Sequence, residues 1–309
     1  MSGYSNACAI PYSRFGEDVL PLLFCRSGLF TTATLGSGTY VKDRLVGSFR
    51  PWTIYYTGEL LNQRDLDVWL ACLRVALRRQ EQSGTPIAGE PVRTSRAELL
   101  AELGLSYCGK SARTLTEHLL RFRNAMLVID GPIRVETALL LRDLSAEKGE
   151  DGLSFEFDPL LMPLLANHLA KVAFIQARGL RDKLAKWIFR YASTCGKNLV
   201  AVGVENIRRV TGNAEPIVFY NQKTREDVIV REAVPLFEFR RTLSQACDKA
   251  LAAAEPGTFA QLEMDASRGD HGQLLVRRVS DAPVLIAKTA SVPSPQAVAA
   301  RERRGRVAL

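Results

Sequence analysis

Histidine is scarce, with three in 309 residues (His118, His168, His271), and the six cysteines (Cys8, Cys25, Cys72, Cys108, Cys195, Cys247) never fall as C-x-x-C. That spacing excludes a Cys/His zinc cluster and points to a reduced compartment, the cytoplasm. Long apolar runs are also missing. The most apolar stretch, 160–177, is broken by Pro163, Asn167, His168 and Lys171, so no membrane span is expected. The N-terminus lacks a basic start followed by an apolar core, and no export signal is expected. No pair of acids and no nucleophile–base set stands out, so the expectation is a protein without catalysis, metal or cofactor.

What remains is a folded body. Hydrophobic residues make up 47% and charged residues 24%, as in globular proteins, and the length suits two domains, each with a core. Lys and Arg number 41 against 33 Asp and Glu, a formal net charge of +8, which suits an anionic partner such as nucleic acid.

Residues 1–26 show no apolar period and read as a flexible arm. A β-rich run at 53–57 precedes Asn62 and Asp65, which offer a helix start, and Leu66, Trp69, Leu70, Leu73, Ala76 and Leu77 supply its apolar stripe until Gly84 and Pro86. Ser95 and Glu98 form a capping box for a short helix ending at Gly104. A second helix follows a polar turn, with Ala112, Leu115, Leu119, Phe122 and Met126 inward and Arg113, Glu117 and Arg121 outward. Strands are expected at 126–130, 137–142 and 153–157. A helix-turn-helix followed by a small antiparallel sheet is a winged helix.

The pattern then returns. A helix at 180–192, a strand at 199–202, a short helix at 204–210, a hairpin insertion at 213–235, a longer helix on Phe239, Leu243, Ala246 and Ala250, and strands at 259–264 and 273–279 make a second such module. The fold expected is therefore α+β, two tandem winged-helix domains at 27–158 and 159–280, with a disordered basic tail at 281–309.

Gly104-Leu-Ser-Tyr-Cys-Gly109-Lys110-Ser111 matches the phosphate-loop pattern G-x-x-x-x-G-K-S, and the apolar strand ending at Asp130 could hold magnesium. A working phosphate loop needs a buried strand feeding it, whereas 97–103 consists of strong helix formers. The bland assignment is a bend between helices. Gly36 and Gly38 read as a turn, Asp265, Asp270 and His271 as part of a wing turn, and Cys108 as an incidental cysteine despite its neighbour Lys110.

A winged helix places its second helix in the DNA major groove and its wing on phosphates. Candidate contacts in the first module are Lys110, Arg113, Arg121 and Arg123. In the second they are Arg208, Arg240, Arg241, Gln245 and Lys249. Arg pairs bidentately with guanine and Gln with adenine, which equips the second helix for sequence and leaves the first to phosphate.

Arg26-Ser-Gly-Leu-Phe-Thr-Thr32, Ile54-Tyr-Tyr-Thr-Gly-Glu-Leu60 and Asp65-Leu-Asp-Val-Trp69 resemble, in order and spacing, the N-terminal signature of TrfA-type plasmid replication initiators. The resemblance continues through Glu98 to Gly104, Leu115 to Arg123, Trp187 to Tyr191 and Gly203 to Gly212, and covers roughly 24–280. It implies a protein that binds repeated double-stranded sites (iterons) in a plasmid origin, helps open the duplex and recruits the host helicase or its loader, with the host initiator and a homodimer as further partners. The insertion at 213–235 departs from the family pattern, and Leu20-Pro-Leu-Leu-Phe24 lacks the glutamine of the sliding-clamp motif that some family members carry, so the resemblance does not extend to clamp binding. A transcriptional regulator of the same fold and a phosphate-loop NTPase are the rival functions.

Overall fold

The structure is a computed structural model that describes residues 18–33, 38–49, 52–84, 87, 89–130, 135–146, 151–161, 168–221, 226–268, 272–279 and 284–286. Those residues form a mixed α/β chain of eight helices and several small sheets. No helix among them is long and apolar enough to cross a membrane.

The described chain opens with β1 (Val19–Pro21), α1 (Leu22–Arg26), β2 (Phe30–Thr31), β3 (Tyr40–Phe49), β4 (Trp52–Glu59) and β5 (Leu61–Asn62). Then comes α2 (Gln63–Ser83), whose start is set as expected: the Arg64 N–H donates to Asn62 Oδ1 at 2.8 Å and the Asn62 N–H to Asp65 Oδ2 at 2.8 Å. Such a cap contributes about 1 kcal/mol. Gly84, at φ 69°, ends the helix in the left-handed conformation that glycine adopts most readily.

Next are β6 (Val92–Ser95), α3 (Arg96–Glu102), α4 (Gly109–Arg123), β7 (Met126–Asp130), β8 (Val135–Leu139), β9 (Asp143–Ala146) and β10 (Gly152–Glu156). Half of the expected capping box is present, since the Glu98 N–H donates to Ser95 Oγ at 3.0 Å. The Glu98 carboxylate instead accepts from Arg79 and from the Thr94 hydroxyl. The strands need a correction. β7 and β8 were expected to supply the sheet of the first module, but they join β3 and β4 in a four-stranded sheet of order β3-β4-β7-β8. The module's sheet is β6-β10-β9, in which β10 pairs antiparallel with both neighbours. Strand chemistry does not encode its partner; β4 reaches β7 across about seventy positions through backbone register alone.

The second half runs β11 (His168–Lys171), α5 (Phe174–Gly179), α6 (Lys183–Ser193), β12 (Val200–Gly203), α7 (Val204–Val210), β13 (Ile217–Asn221), β14 (Glu226–Arg231), α8 (Leu236–Ala253), β15 (Phe259–Asp265), β16 (Gln273–Arg278) and β17 (Val284–Ile286). Once β7 and β8, which join another sheet, and the β13–β14 insertion are set aside, α6 to β16 repeat the order of α2 to β10: helix, short strand, helix, helix, strand, strand. The sheet order repeats as well, β12-β16-β15 matching β6-β10-β9, with the last strand central each time. The insertion is the expected hairpin, β13 with β14, and it packs on the four-stranded sheet, where Ile217 is buried with Ala33 and Leu60.

Two terminal expectations change. Residues 19–26 belong to no arm: Leu20, Phe24 and Cys25 are fully buried, and β1 pairs with β11. Elements of three to five residues are too short to show a period, so long-range packing selects them. Within 281–309, β17 also pairs with β11. Residues 1–17 and the rest of that C-terminal stretch lie outside the described residues. Nor are there two separate cores. Apart from the small group of Ala33, Leu60 and Ile217, nearly all the buried apolar residues form one cluster from Val19 to Val276 that spans both halves, threaded by edge-to-face contacts from Phe30 to Phe24 to Trp69 to Phe157. Each aromatic contact contributes on the order of 1 kcal/mol beyond area burial.

Candidate nucleic-acid interface

The last helix of each repeated unit is held on one side and bare on the other. In α4, Leu115, Leu119 and Phe122 are buried, while Lys110, Arg113, Thr114, Glu117, Leu120 and Arg123 are exposed. In α8, Phe239, Leu243, Ala246, Cys247 and Ala250 are buried, while Phe237, Glu238, Arg241, Thr242, Gln245, Asp248 and Lys249 are exposed. Exposed polar and basic side chains along a helix that a sheet and two helices hold rigid are the elements of groove reading.

The nine candidate side chains divide. Lys110, Arg123, Arg241 and Gln245 are exposed. Arg113 is 85% exposed and pairs with Glu117 at 3.2 Å one turn on, a contact of little strength at that exposure. Lys249 is exposed but reaches Asp182 at 2.6 Å, the N-cap of α6. Arg240 donates to the Ala266 carbonyl at 3.2 Å and so ties α8 to the turn after β15.

Arg121 and Arg208 do not point outward. Arg121 donates to Asp65 at 2.8 Å, and Asp65, fully buried, also takes His118 Nδ1 at 2.6 Å. Position 121 borders the apolar stripe, and the buried carboxylate at the start of α2 draws the guanidinium inward, since an unpaired buried charge is costly. Arg208 chelates Glu205 at 2.9 Å and donates to the Val234 carbonyl at 2.6 Å, which fixes the loop before α8. The first ties α4 to α2, and the second fixes the loop that leads into α8.

Sequence reasoning missed two exposed apolar side chains beside these helix starts. Phe237, in the first turn of α8, is 76% exposed, and Tyr107, just before α4, is 56% exposed. A lone apolar residue gives no periodic signal; only its burial state sets it apart.

The glycine-lysine-serine segment runs from helix to helix. α3 precedes it, Gly104 turns at φ +64°, and a Cβ there would lie 2.8 Å from the Arg178 guanidinium. The strand that a phosphate loop requires is not the element before it, and β7 pairs antiparallel on both edges. Cys108 caps α4: the Ser111 N–H donates to its Sγ at 3.4 Å, and the Cys108 N–H donates to Ser111 Oγ at 3.0 Å. Hydrogen bonds from Ser111 hold the exposed Cys108 thiol below the ordinary cysteine value, whereas burial pushes Cys25 and Cys247 up to about 12. Among the described residues no group of three His, Cys, Asp or Glu could hold a metal ion. Asp265 accepts from Ser267 and pairs with Arg268 at 3.2 Å, while Asp270 and His271 lie outside the described residues.

The block Arg26 to Thr32 is a joint rather than an interface. Arg26 donates to Thr194 Oγ1 at 3.1 Å, Thr31 Oγ1 donates to the Thr211 carbonyl at 2.8 Å, and Asn213 Nδ2 donates to Thr32 Oγ1 at 2.9 Å. Gly28 is required there, because a Cβ would come within 2.8 Å of the Val210 carbonyl oxygen.

No family model matches the chain, and no curated protein sequence matches it. Among solved structures, the chain is similar to RctB domains 2-3 (TM-score 0.49, 8% identity, covering 84% of this chain and 96% of that one). It is also similar to the selenomethionine derivative of domains 2 and 3 of RctB (TM-score 0.45, 10% identity, 81% and 94%). A third likeness is to the Pi initiator protein in complex with iteron DNA (TM-score 0.45, 12% identity, 72% and 94%).

Proposed function

We propose that this protein is a replication initiator that grips double-stranded DNA with two tandem winged helices. The observation that carries the reading is the repeated unit: helix, strand, helix, exposed helix and two strands with the last strand central, found once from α2 to β10, interrupted by β7 and β8, and again from α6 to β16, interrupted by the β13–β14 hairpin. In the winged-helix arrangement the exposed helix enters the major groove and the loop between the last two strands lies on phosphate. α4 would present Lys110, Arg113 and Arg123, and α8 would present Arg241, Gln245 and Phe237. Arg241 and Gln245 lie one turn apart and can address guanine and adenine edges. The net charge of +8 supplies the sequence-independent attraction.

The repeated sites of a plasmid origin are the target that the sequence resemblance implies, with duplex opening and recruitment of the host helicase as the action and the bacterial cytoplasm as the setting. The two reading domains fall within 27–158 and 159–280, and neither carries out catalysis. Retardation of duplexes taken from the DNA flanking the gene tests the binding, and replication of a minimal origin with and without the gene tests the role. Loss of replication on deletion supports initiation. Replication that persists while a nearby promoter is derepressed would assign the same fold to transcriptional control.

A further inference from the structure

Between the two reader helices lies a cationic groove that the reading above does not use. A cleft of about 510 Å³ extends from Lys110, Ser111 and Thr114 at the start of α4 past Arg64 to Arg181 and Lys183. A second cleft of about 450 Å³ shares Arg181 and Lys183 and continues past Arg231 to Glu238 and Thr242 at the start of α8. Together they join the two helix starts in one track.

The charges in that track are unbalanced. Arg64 and Arg181 are exposed, and neither has an ion-pair partner among the described residues. Lys183 is half-buried and, among the described residues, donates only to the Ala33 carbonyl, at 3.4 Å. Burial lowers the Lys183 pKa, and the neighbouring charges of Arg64 and Arg231 lower it further against the opposing charge of Asp65. The nearby carboxylates are already taken: Asp65 by Arg121 and His118, Asp67 by Lys186 and Arg190, and Asp182 by Lys249 and the first turn of α6. Glu238 remains at the far end, facing Arg231. Holding like charges together costs free energy that an anion returns, and three cations spaced along a groove fit a line of phosphates better than a single ion.

We infer that Arg64, Arg181 and Lys183 form a phosphate track that seats the DNA backbone between the two half-sites and so fixes their spacing. This rests on the DNA-binding reading. α2 supplies Arg64, while the segment leading into α6 and the helix itself supply Arg181 and Lys183, so the track is complete only when the two units are docked as they are here.

The test is fluorescence-anisotropy binding of the full chain to duplexes of about two helical turns, one selected from a random pool and one of random sequence, across a salt series. Arg64→Gln with Arg181→Gln should make the slope of log K against log salt shallower by about 0.9 per charge removed. Affinity for both duplexes should fall by the same factor, on the order of tenfold at physiological salt. Arg64→Lys should restore its share of the slope, and ethylation of the phosphates between the half-sites should interfere with the wild type but not with the double variant. Both arginines are exposed, so the melting curve should not move; if the double variant fails to fold, the single variants are read instead. An unchanged slope in a chain that binds DNA overturns the track and leaves the DNA reading standing. A wild-type chain that binds neither duplex overturns both. Capture of ATP or pyrophosphate that is lost in Arg64→Gln while DNA affinity is kept assigns the groove to a free phosphate and overturns the track.

Discussion

Arg190 of α6 donates to Asp67 of α2, two side chains 123 positions apart and each almost fully buried. The helix that opens the second repeated unit is thereby fastened to the helix that opens the first. Lys186 donates to the other oxygen of Asp67, and Arg190 also donates to Gln63 Oε1 at 2.6 Å. Gln63 Nε2 in turn donates to the Phe30 carbonyl at 2.7 Å. The two repeated units are therefore fastened through one buried joint between α2 and α6, which makes the spacing of α4 and α8 a property of the fold.

Asp67→Asn leaves two cations buried without their counter-charge. Breaking such a pair costs about 3–5 kcal/mol. Denaturant unfolding should show a loss of that order, and a loss within 0.5 kcal/mol would place the fastening elsewhere.

Arg241→Ala should cost about 1–3 kcal/mol on a selected duplex, concentrated at one base position, because a base contact carries sequence information. Arg113→Ala should weaken all duplexes alike and reduce the salt slope by about one unit. Equal losses on selected and random DNA for both variants would contradict the division of roles between α8 and α4.

Phe237 touches little of the protein, so Phe237→Ala should leave the melting temperature unchanged, as surface substitutions do within about 0.5 kcal/mol. Its affinity for the selected duplex should fall several-fold while random DNA is bound as before. A stability loss without an affinity loss would make the ring a packing residue.

Cys108 should be the fastest of the described cysteines to react with iodoacetamide, because it is exposed and its thiol pKa is depressed, whereas Cys25, Cys72, Cys195 and Cys247 are buried with raised pKa values. It lies at the start of α4, so bound duplex should slow its alkylation. Peptide mapping reads both effects, and labelling at an undiminished rate on the complex would remove α4 from the interface.

Acid should loosen the fold at two acidic side chains. Burial raises the pKa of Glu102, but hydrogen bonds and charge from Arg78 and Arg74 outweigh it and leave the carboxyl below its ordinary value of 4.5. Burial likewise raises that of Asp182, and Lys249 together with the Ala185 and Leu184 N–H groups brings it below 3.8. A carboxyl whose folded pKa is depressed adds stability that is complete above its ordinary value and is lost as pH falls through the depressed one. Stability should therefore decline below about pH 4.5, and Glu102→Gln should flatten that decline. An identical acid limb in the variant would place the titration elsewhere.

Much of this architecture is legible in the residues. α7 has the bounds that Gly203 and Gly212 suggest, and Asn62, Gly84 and Ser95 mark helix ends as their chemistry requires. What is not legible is set at a distance. The pairing of β4 with β7, the burial of β1 and α1, and the docking of α2 on α6 depend on partners about seventy or more positions away or on elements too short for a period. The candidate interface divides the same way: Arg241 and Gln245 are outward by helical period, whereas Arg121 is drawn in by Asp65 and Arg208 by the Val234 carbonyl, partners that a periodicity argument does not see.

Hydroxyl-radical footprinting of the full chain on a selected duplex tests the central claim most directly. Two reader helices on a fixed joint predict two protected tracts on the same face of the DNA, about one helical turn apart, both lost together in Asp67→Asn. A single tract, or protection spread evenly over any sequence, would contradict the account.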